Sequence, residues 1–227
     1  MRYSIITPTI CRESLLRLFL SIDGQTQSDW EHLVVIDTPH HSLTRDQRKI
    51  IESTLIPPRA NRSFSYCERK HNNYGHTCRH QAWERAKGDY ILYLDDDDYL
   101  AHHEALSVLD SVVEAWAVFP VLRHGQLFFN LPPGTARTGT GMFIHKREIG
   151  KWPDSNAYEA DGLFVEGLLQ KYRYQALDCP PLVIQPKSSF GISNAESWYG
   201  DKAAKVIGRW ELYRHRLKNR IAGSRTK

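Results

Sequence analysis

The chain has 227 residues, of which 41% are hydrophobic and 25% charged, with a net charge of +4. That length fits one large domain, or a domain with an appendage, and supports a sizeable core. No window approaches the roughly 18 uninterrupted apolar residues of a membrane-spanning helix, the four cysteines are dispersed with no CxxC pair, and neither GxGxxG nor GxxxxGK[ST] occurs, which argues against a membrane span, a zinc site and a glycine-rich phosphate loop.

The charge is uneven. Residues 201–227 hold nine Lys/Arg against Asp201 and Glu211, so residues 1–200 are mildly acidic. A nucleic-acid reading from the overall basicity is therefore weak, and no nucleic-acid partner is expected. The N-terminus lacks the apolar core of a secretory signal, and the cysteines read as reduced thiols, so a cytoplasmic protein is expected.

In chain order, Tyr3 to Thr7 reads as a strand ended by Pro8-Thr9, because proline cannot donate to a ladder. Glu13 to Gln25 has Leu15, Leu16, Phe19 and Leu20 at helical spacing. Trp30 to Asp37 is a second strand with the carboxylate at its end. Thr44 to Thr54 is a helix with Thr44 as N-cap, and Ser63 to Cys67 is a weak strand. His76 to Lys87 is a helix, with Gly88 placed to end it.

Tyr90 to Leu94 is a short apolar run, and Asp95-Asp96-Asp97-Asp98 follow it without a break. The run reads as a buried strand, and four adjacent carboxylates cannot stay unpaired beside one. At the carboxyl end of a parallel strand they would face a cation, and hard oxygens suit Mg²⁺ or Mn²⁺ bridging to a phosphate. An acidic surface turn is the plainer alternative.

His102 to Glu114 is a further helix. Trp116 to Leu122 and Gln126 to Phe129 flank His124-Gly125 as a hairpin. Met142 to His145 is a strand, and Ala157 to Lys171 a helix with Asp161 in its first turn. Tyr172 to Leu177 and Leu182 to Ile184 are short strands. In the tail, Val206, Trp210, Tyr213, Leu217 and Ile221 form a helical stripe flanked by basic residues. Such a helix either docks on the body or lies against anionic lipid head groups. The alternation of strands and helices predicts an α/β fold with a doubly wound, mostly parallel sheet and a small antiparallel second half.

The ordered set Ser4-Ile5-Ile6-Thr7-Pro8-Thr9, Leu33-Val34-Val35-Ile36-Asp37, Cys78-Arg79-His80 and Leu94-Asp95-Asp96-Asp97-Asp98 resembles the family-2 inverting glycosyltransferases, with their GT-A fold and DxD metal motif. The resemblance covers roughly residues 3–184. It implies a domain over 1–200, with a nucleotide-binding half to residue 100 and an acceptor half beyond, followed by the basic helix 201–227. Pro8 and Thr9 match the loop beneath the nucleobase, and Asp37 the carboxylate that accepts from the base. Arg79 matches an arginine near the donor nucleotide, and Asp95 and Asp96 match positions facing ribose and metal. Asp97 matches the Mn²⁺ or Mg²⁺ ligand, and Asp161 the catalytic base. Asp98 is expected to be structural, capping the helix at 102.

Departures from the pattern are His80 in place of Asn, and Ala160 in place of the Glu before the base, which makes Glu159 the alternative base. Val206 stands where processive synthases carry the Gln of Gln-x-x-Arg-Trp, so a processive polymerase is not expected. Taken singly, Asp161 also suits a helix N-terminus, Asp37 a turn and Arg79 a surface helix. Trp152, Tyr158 and Trp198 are candidates to stack on an acceptor sugar, although core packing is the commoner use of aromatics.

The implied function is metal-dependent inverting transfer from a nucleotide-sugar donor, UDP-linked by the Asp37 match, to a hydroxyl acceptor on a sugar or glycolipid. The alternatives are an α/β nucleotidyl- or phosphotransferase and a catalytically silent nucleotide-sugar-binding module.

Overall fold

The computed structural model describes residues 1–54 and 60–186. The basic tail 201–227 and the loop beyond Pro186 lie outside the described residues. In chain order the elements are β1 (Tyr3–Thr9), α1 (Ser14–Asp23), β2 (Trp30–Ile36), α2 (Arg45–Thr54), β3 (Arg62–Tyr66), α3 (His76–Arg85), β4 (Tyr90–Tyr93) and β5 (Tyr99–Leu100). There follow α4 (Ala105–Leu109), β6 (Trp116–Val118), β7 (Val121–Arg123), β8 (Gln126–Phe128), β9 (Phe143–Lys146), α5 (Ala160–Lys171), β10 (Tyr174–Ala176) and β11 (Val183–Gln185).

A seven-stranded sheet runs β10-β6-β9-β4-β1-β2-β3, and β9 alone is reversed within it. A smaller four-stranded sheet runs β5-β11-β7-β8. The fold is the expected α/β arrangement with a doubly wound, mostly parallel sheet.

Strand alternation splits the core into two layers. Along β4, Tyr90, Leu92 and Leu94 face α1 residues such as Leu15, Leu18 and Ile22. Ile91 and Tyr93 face Cys78 and Ala82 of α3 and Val165 and Leu168 of α5. Burial on both sides explains why the strand is apolar without interruption.

Pro8 lies inside β1 rather than ending it, in register with Val35. Backbone groups of the even residues of β1 point toward β4: the Arg2 and Ile6 carbonyls accept from Tyr90 and Leu94. β4 pairs with β1 only as far as Ile6, so the N–H that Pro8 lacks would have met no partner there.

Gly88 is not the glycine that ends α3, since Ala86 takes the cap position. A Cβ on Gly88 would stand 2.4 Å from the Ser4 nitrogen and 2.6 Å from the Tyr3 carbonyl carbon. The residue is glycine because the chain enters β4 against the backbone of β1.

The helix expected over His102 to Glu114 shrinks to α4. Asp110 is drawn away by the Tyr3 hydroxyl at 2.6 Å and Gln27 Nε2 at 2.9 Å, and the Val113 N–H by Gln175 Oε1 at 3.0 Å. The Thr44 cap is present and reciprocal: the Gln47 N–H donates to Thr44 Oγ1 at 3.2 Å, and the Thr44 N–H to Gln47 Oε1 at 2.9 Å.

Two histidines are sealed into the large sheet. His32 Nε2 donates to Thr7 Oγ1 at 2.9 Å while its Nδ1 accepts from Arg62 at 3.0 Å. His145 Nδ1 donates to the Lys146 carbonyl at 2.8 Å, and its Nε2 accepts from the Tyr93 hydroxyl at 3.2 Å. Burial pushes the His145 ring down to about 4. The unfolded chain takes up that proton near 6.5. Between these values the unfolded state binds more protons, so stability is full above about pH 6.5 and declines as pH falls toward 4. We expect urea unfolding to lose on the order of 2–3 kcal/mol from this group across that window. His145→Gln should be less stable at pH 7 yet lose less on acidification; an unchanged slope would place the pH dependence elsewhere.

Candidate active site

The carboxyl ends of β1, β2 and β4 meet at one edge of the sheet, where ligands bind in open α/β folds. Two adjoining hollows open there, of about 410 and 850 Å³. Tyr74, Arg79, Asp95 and Asp97 line both and form their common wall.

The smaller hollow is lined by Pro8, Thr9, Asp37, Gly75 and Asp96 as well. Asp37 is only 5% exposed. Its two carboxylate oxygens accept the backbone N–H groups of His71 at 2.8 Å and Asn72 at 2.9 Å. The carboxylate thus clamps the loop entering α3, a role invisible in the sequence. That loop holds Asn72, Tyr74 and Gly75 at φ 53, 57 and 77°. Gly75 is required there: a Cβ would stand 2.5 Å from the Pro8 Cβ. Arg79 is buried, not a surface residue. Its Nη1 donates to the Tyr74 carbonyl at 2.7 Å and its Nη2 to Asp95 Oδ1, with the guanidinium over the Trp152 ring.

The four carboxylates do not share one cation. In this structure Asp95 and Asp98 have separate partners, while Asp96 and Asp97 share one. Asp95 pairs with Arg79 and accepts from the Thr140 hydroxyl at 3.1 Å. Asp96 accepts from the Thr9 hydroxyl at 2.6 Å and from Arg12 Nη1 at 2.9 Å. Burial pushes Asp96 up to about 6 despite the Arg12 charge and the Thr9 bond. Asp97 accepts from the same Arg12 nitrogen at 3.0 Å. Asp98 does not cap a helix at 102; it is buried and accepts from Gln185 Nε2 of β11 at 3.0 Å. Burial and the neighbouring Asp95 hold its carboxyl well above the usual carboxylate range.

The residues fit a divalent metal in one respect. Asp96 Oδ1 and Asp97 Oδ2 already converge on a single positive group, the Arg12 guanidinium. Hard, anionic oxygens of that kind suit Mg²⁺ or Mn²⁺. Asp37, Cys67 and His71 also bring ligand atoms within 4.8 Å of one another. The Asp37 oxygens there are taken by backbone amides, and a donor set with sulfur and nitrogen suits softer metals.

The larger hollow carries Asp161, Glu159, His76 and Tyr158. Asp161 sits in the first turn of α5, half-buried, with Oδ1 accepting the Gly162 N–H at 2.8 Å. A Cβ on Gly139 would stand 3.2 Å from Asp161 Oδ2, so the carboxylate lies against the Gly139 loop. Glu159 is exposed on the same wall. Trp152 cannot stack on a ligand: it is fully buried among Tyr93, Phe143 and Phe164. Trp198 lies outside the described residues.

Sequence reasoning missed Arg12, Tyr74 and His76. Arg12 follows no spacing rule. The Asn72-Asn73-Tyr74-Gly75 run did carry a legible sign, since Asn and Gly favour left-handed backbone.

The class of the protein is that of an α/β fold whose sheet edge collects carboxylates over a two-part crevice. The Glycosyl transferase family 2 profile matches residues 4–164, and the chain belongs to that family. Curated proteins return no match. Among solved structures, S. aureus TarS 1-349 is similar with a TM-score of 0.65 and 19% identity, over 82% of this chain and 60% of that one. The same protein in complex with UDP-GlcNAc is similar with a TM-score of 0.64 and 18% identity, over 93% and 66% of the two chains. The mannosyltransferase PcManGT from Pyrobaculum calidifontis, in complex with GDP-Man and Mn²⁺, gives a TM-score of 0.61 at 15% identity, over 87% and 59%. The chain thus spans about three fifths of the length of TarS 1-349 and PcManGT. Among the described residues no helix is long and apolar enough to cross a membrane.

The clamp on the loop is testable. Asp37→Ala strands two backbone N–H groups and should destabilise the fold by about 1–3 kcal/mol. Amide exchange at His71 and Asn72 should quicken in step, and Asp37→Asn, which keeps one acceptor oxygen, should fall between. Unchanged exchange at those two amides would remove the clamp.

Proposed function

We propose that the protein is a metal-dependent inverting glycosyltransferase that moves a sugar from a nucleotide-sugar, a UDP-sugar in the first instance, to an acceptor hydroxyl. One observation carries this reading: Asp37, the Asp95–Asp97 turn and Asp161 come from distant parts of the chain yet line two hollows with a common wall. The UDP-GlcNAc and UDP complexes of TarS and the GDP-Man complex of PcManGT support a nucleotide-sugar donor.

In this reading Asp37, Pro8 and Thr9 bound the nucleobase end of the smaller hollow. Arg79 and Asp95 hold the wall where the two hollows meet. Asp97, with Asp96 beside it, would hold Mn²⁺ or Mg²⁺. A bound divalent ion supplies Lewis-acid stabilisation of charge on the leaving diphosphate. Asp161, on the acceptor side, takes the proton of the acceptor hydroxyl as its oxygen bonds to C1. The C1–O bond to phosphate breaks, and its electron pair leaves with the nucleoside diphosphate. A single displacement inverts the anomeric centre. The basic residues 201–227 are proposed to bring the enzyme to an anionic membrane surface, which suits a lipid-linked acceptor.

Two variants test the roles separately. Asp97→Ala should abolish the manganese-dependent rise in melting temperature that UDP produces; UDP binding in manganese that matches the parent would sink the metal role. Asp161→Asn should keep UDP-sugar affinity and lose transfer by roughly 10²- to 10⁴-fold, the usual contribution of a general base. Normal turnover in that variant would move the base to Glu159.

A further inference from the structure

We propose that Tyr74, Tyr158 and His76 form the binding platform for the acceptor, and that the acceptor presents a pyranose ring rather than an open-chain alcohol. The inference rests on the glycosyltransferase reading and adds to it a substrate class and the residues that select it.

Three independent observations support it. First, the two tyrosines lie 84 positions apart, and the fold brings their rings to 5.1 Å at 76° on the rim of the larger hollow. They remain 61% and 71% exposed, so neither serves the core. Large exposed aromatics beside a polar cavity are the usual means of covering the apolar face of a sugar ring. Second, Tyr74 holds its ring there at φ 57°, a conformation that a bulky side chain adopts at a cost. The buried Arg79, through its bond to the Tyr74 carbonyl, keeps that backbone in place.

Third, His76 offers an unused donor. It is 2% exposed and lines the same hollow. Its Nδ1 accepts from the Trp152 indole N–H at 3.2 Å, so in the neutral ring the proton sits on Nε2. Burial, aided by the Arg79 charge, favours that neutral form. Among the described residues Nε2 makes no hydrogen bond of standard geometry, although the Ala157 backbone is close enough to favour the charged ring. Nε2 is itself closed off from solvent, so a ligand oxygen meets it only when a neighbouring side chain shifts. Asp161 and Asp95 are close enough to act on the ring electrostatically, which puts the open N–H in the neighbourhood of the expected base.

Tyr158 lines the Asp161 hollow but not the smaller one, so its ring serves the acceptor side and not the nucleobase. An acceptor with an apolar ring face matches this wall, the two tyrosine rings beneath it and His76 behind Tyr74. A flexible acyclic alcohol has no flat face to place there.

The test is saturation-transfer NMR on the full chain with UDP and Mn²⁺, using methyl β-glucopyranoside, methyl β-galactopyranoside and glycerol as probes. Ring protons of at least one glycoside should saturate and glycerol should not. Tyr158→Ala should weaken the glycoside signal roughly tenfold, the scale of a lost aromatic contact. Tyr158→Trp should retain it, and UDP affinity should stay within about twofold of the parent in both variants, as expected for a ring outside the nucleotide hollow. Glycerol saturating as strongly as the glycosides, no glycoside saturating at all, or Tyr158→Ala matching the parent would each overturn the platform while leaving donor binding intact. Failure of the parent to bind UDP, UDP-GlcNAc or GDP-Man would overturn the glycosyltransferase reading itself, and the platform with it.

Discussion

The organisation of the crevice depends on one electrostatic constraint: four consecutive carboxylates must be held at the end of a strand buried on both faces. Like charges on adjacent residues repel, and a low-dielectric neighbour raises the cost of each. The fold answers residue by residue. Each carboxylate of the turn is met by a polar partner: Arg79 for Asp95, Thr9 for Asp96, Arg12 for Asp96 and Asp97 together, and Gln185 for Asp98. These partners come from β1 and the segment after it, from α3 and from β11. The acidic turn therefore ties the large sheet to the smaller one.

The same logic governs the loop before α3. Three successive structural demands fall on residues 71–76: Asp37 clamps the first two amides, Arg79 holds the Tyr74 carbonyl, and Gly75 admits Pro8 at a distance no side chain would tolerate. Each of these partners also lines the smaller hollow. Residues that shape the crevice and residues that would contact a ligand are thus one set, so substitutions at Asp37 or Arg79 change geometry together with chemistry. A loss of activity in such variants is evidence of a ligand role only when the loop is shown to be intact.

Much of the fold was legible because its signals are local. The continuous apolar run of Tyr90 to Leu94, the helical spacing of Leu15, Leu16 and Phe19, and the Thr44 cap each follow from short-range physics. The errors came where a distant partner decided. Pro8 remains in its strand because β4 stops short of it. Gly88 is set by contact with β1 and not by a helix end. The helix after His102 ends early because Asp110 and Val113 bond to Tyr3, Gln27 and Gln175 instead. In the site, the carboxylates were conspicuous, since charge density stands out in a sequence. Arg12 and His76 were not, because a lone arginine and a lone histidine acquire meaning only from what the fold places opposite them.

Charge balance connects these features to the proposed chemistry. The turn brings four carboxylates, and Arg12, Arg79, Arg17 and Arg123 stand around it. Burial raises the protonation ranges of Asp96 and Asp98 against the opposing pull of Arg12 and Arg123. A divalent cation at the turn would favour the ionised form of these carboxylates. Arg12 binds the oxygens of Asp96 and Asp97 through one nitrogen, so it and an ion at Asp97 compete for the same lone pairs. A guanidinium released from carboxylates finds its best alternative partner in phosphate oxygens. An anionic diphosphate beside the turn would therefore favour both events, drawing Arg12 away while leaving the carboxylates to the ion.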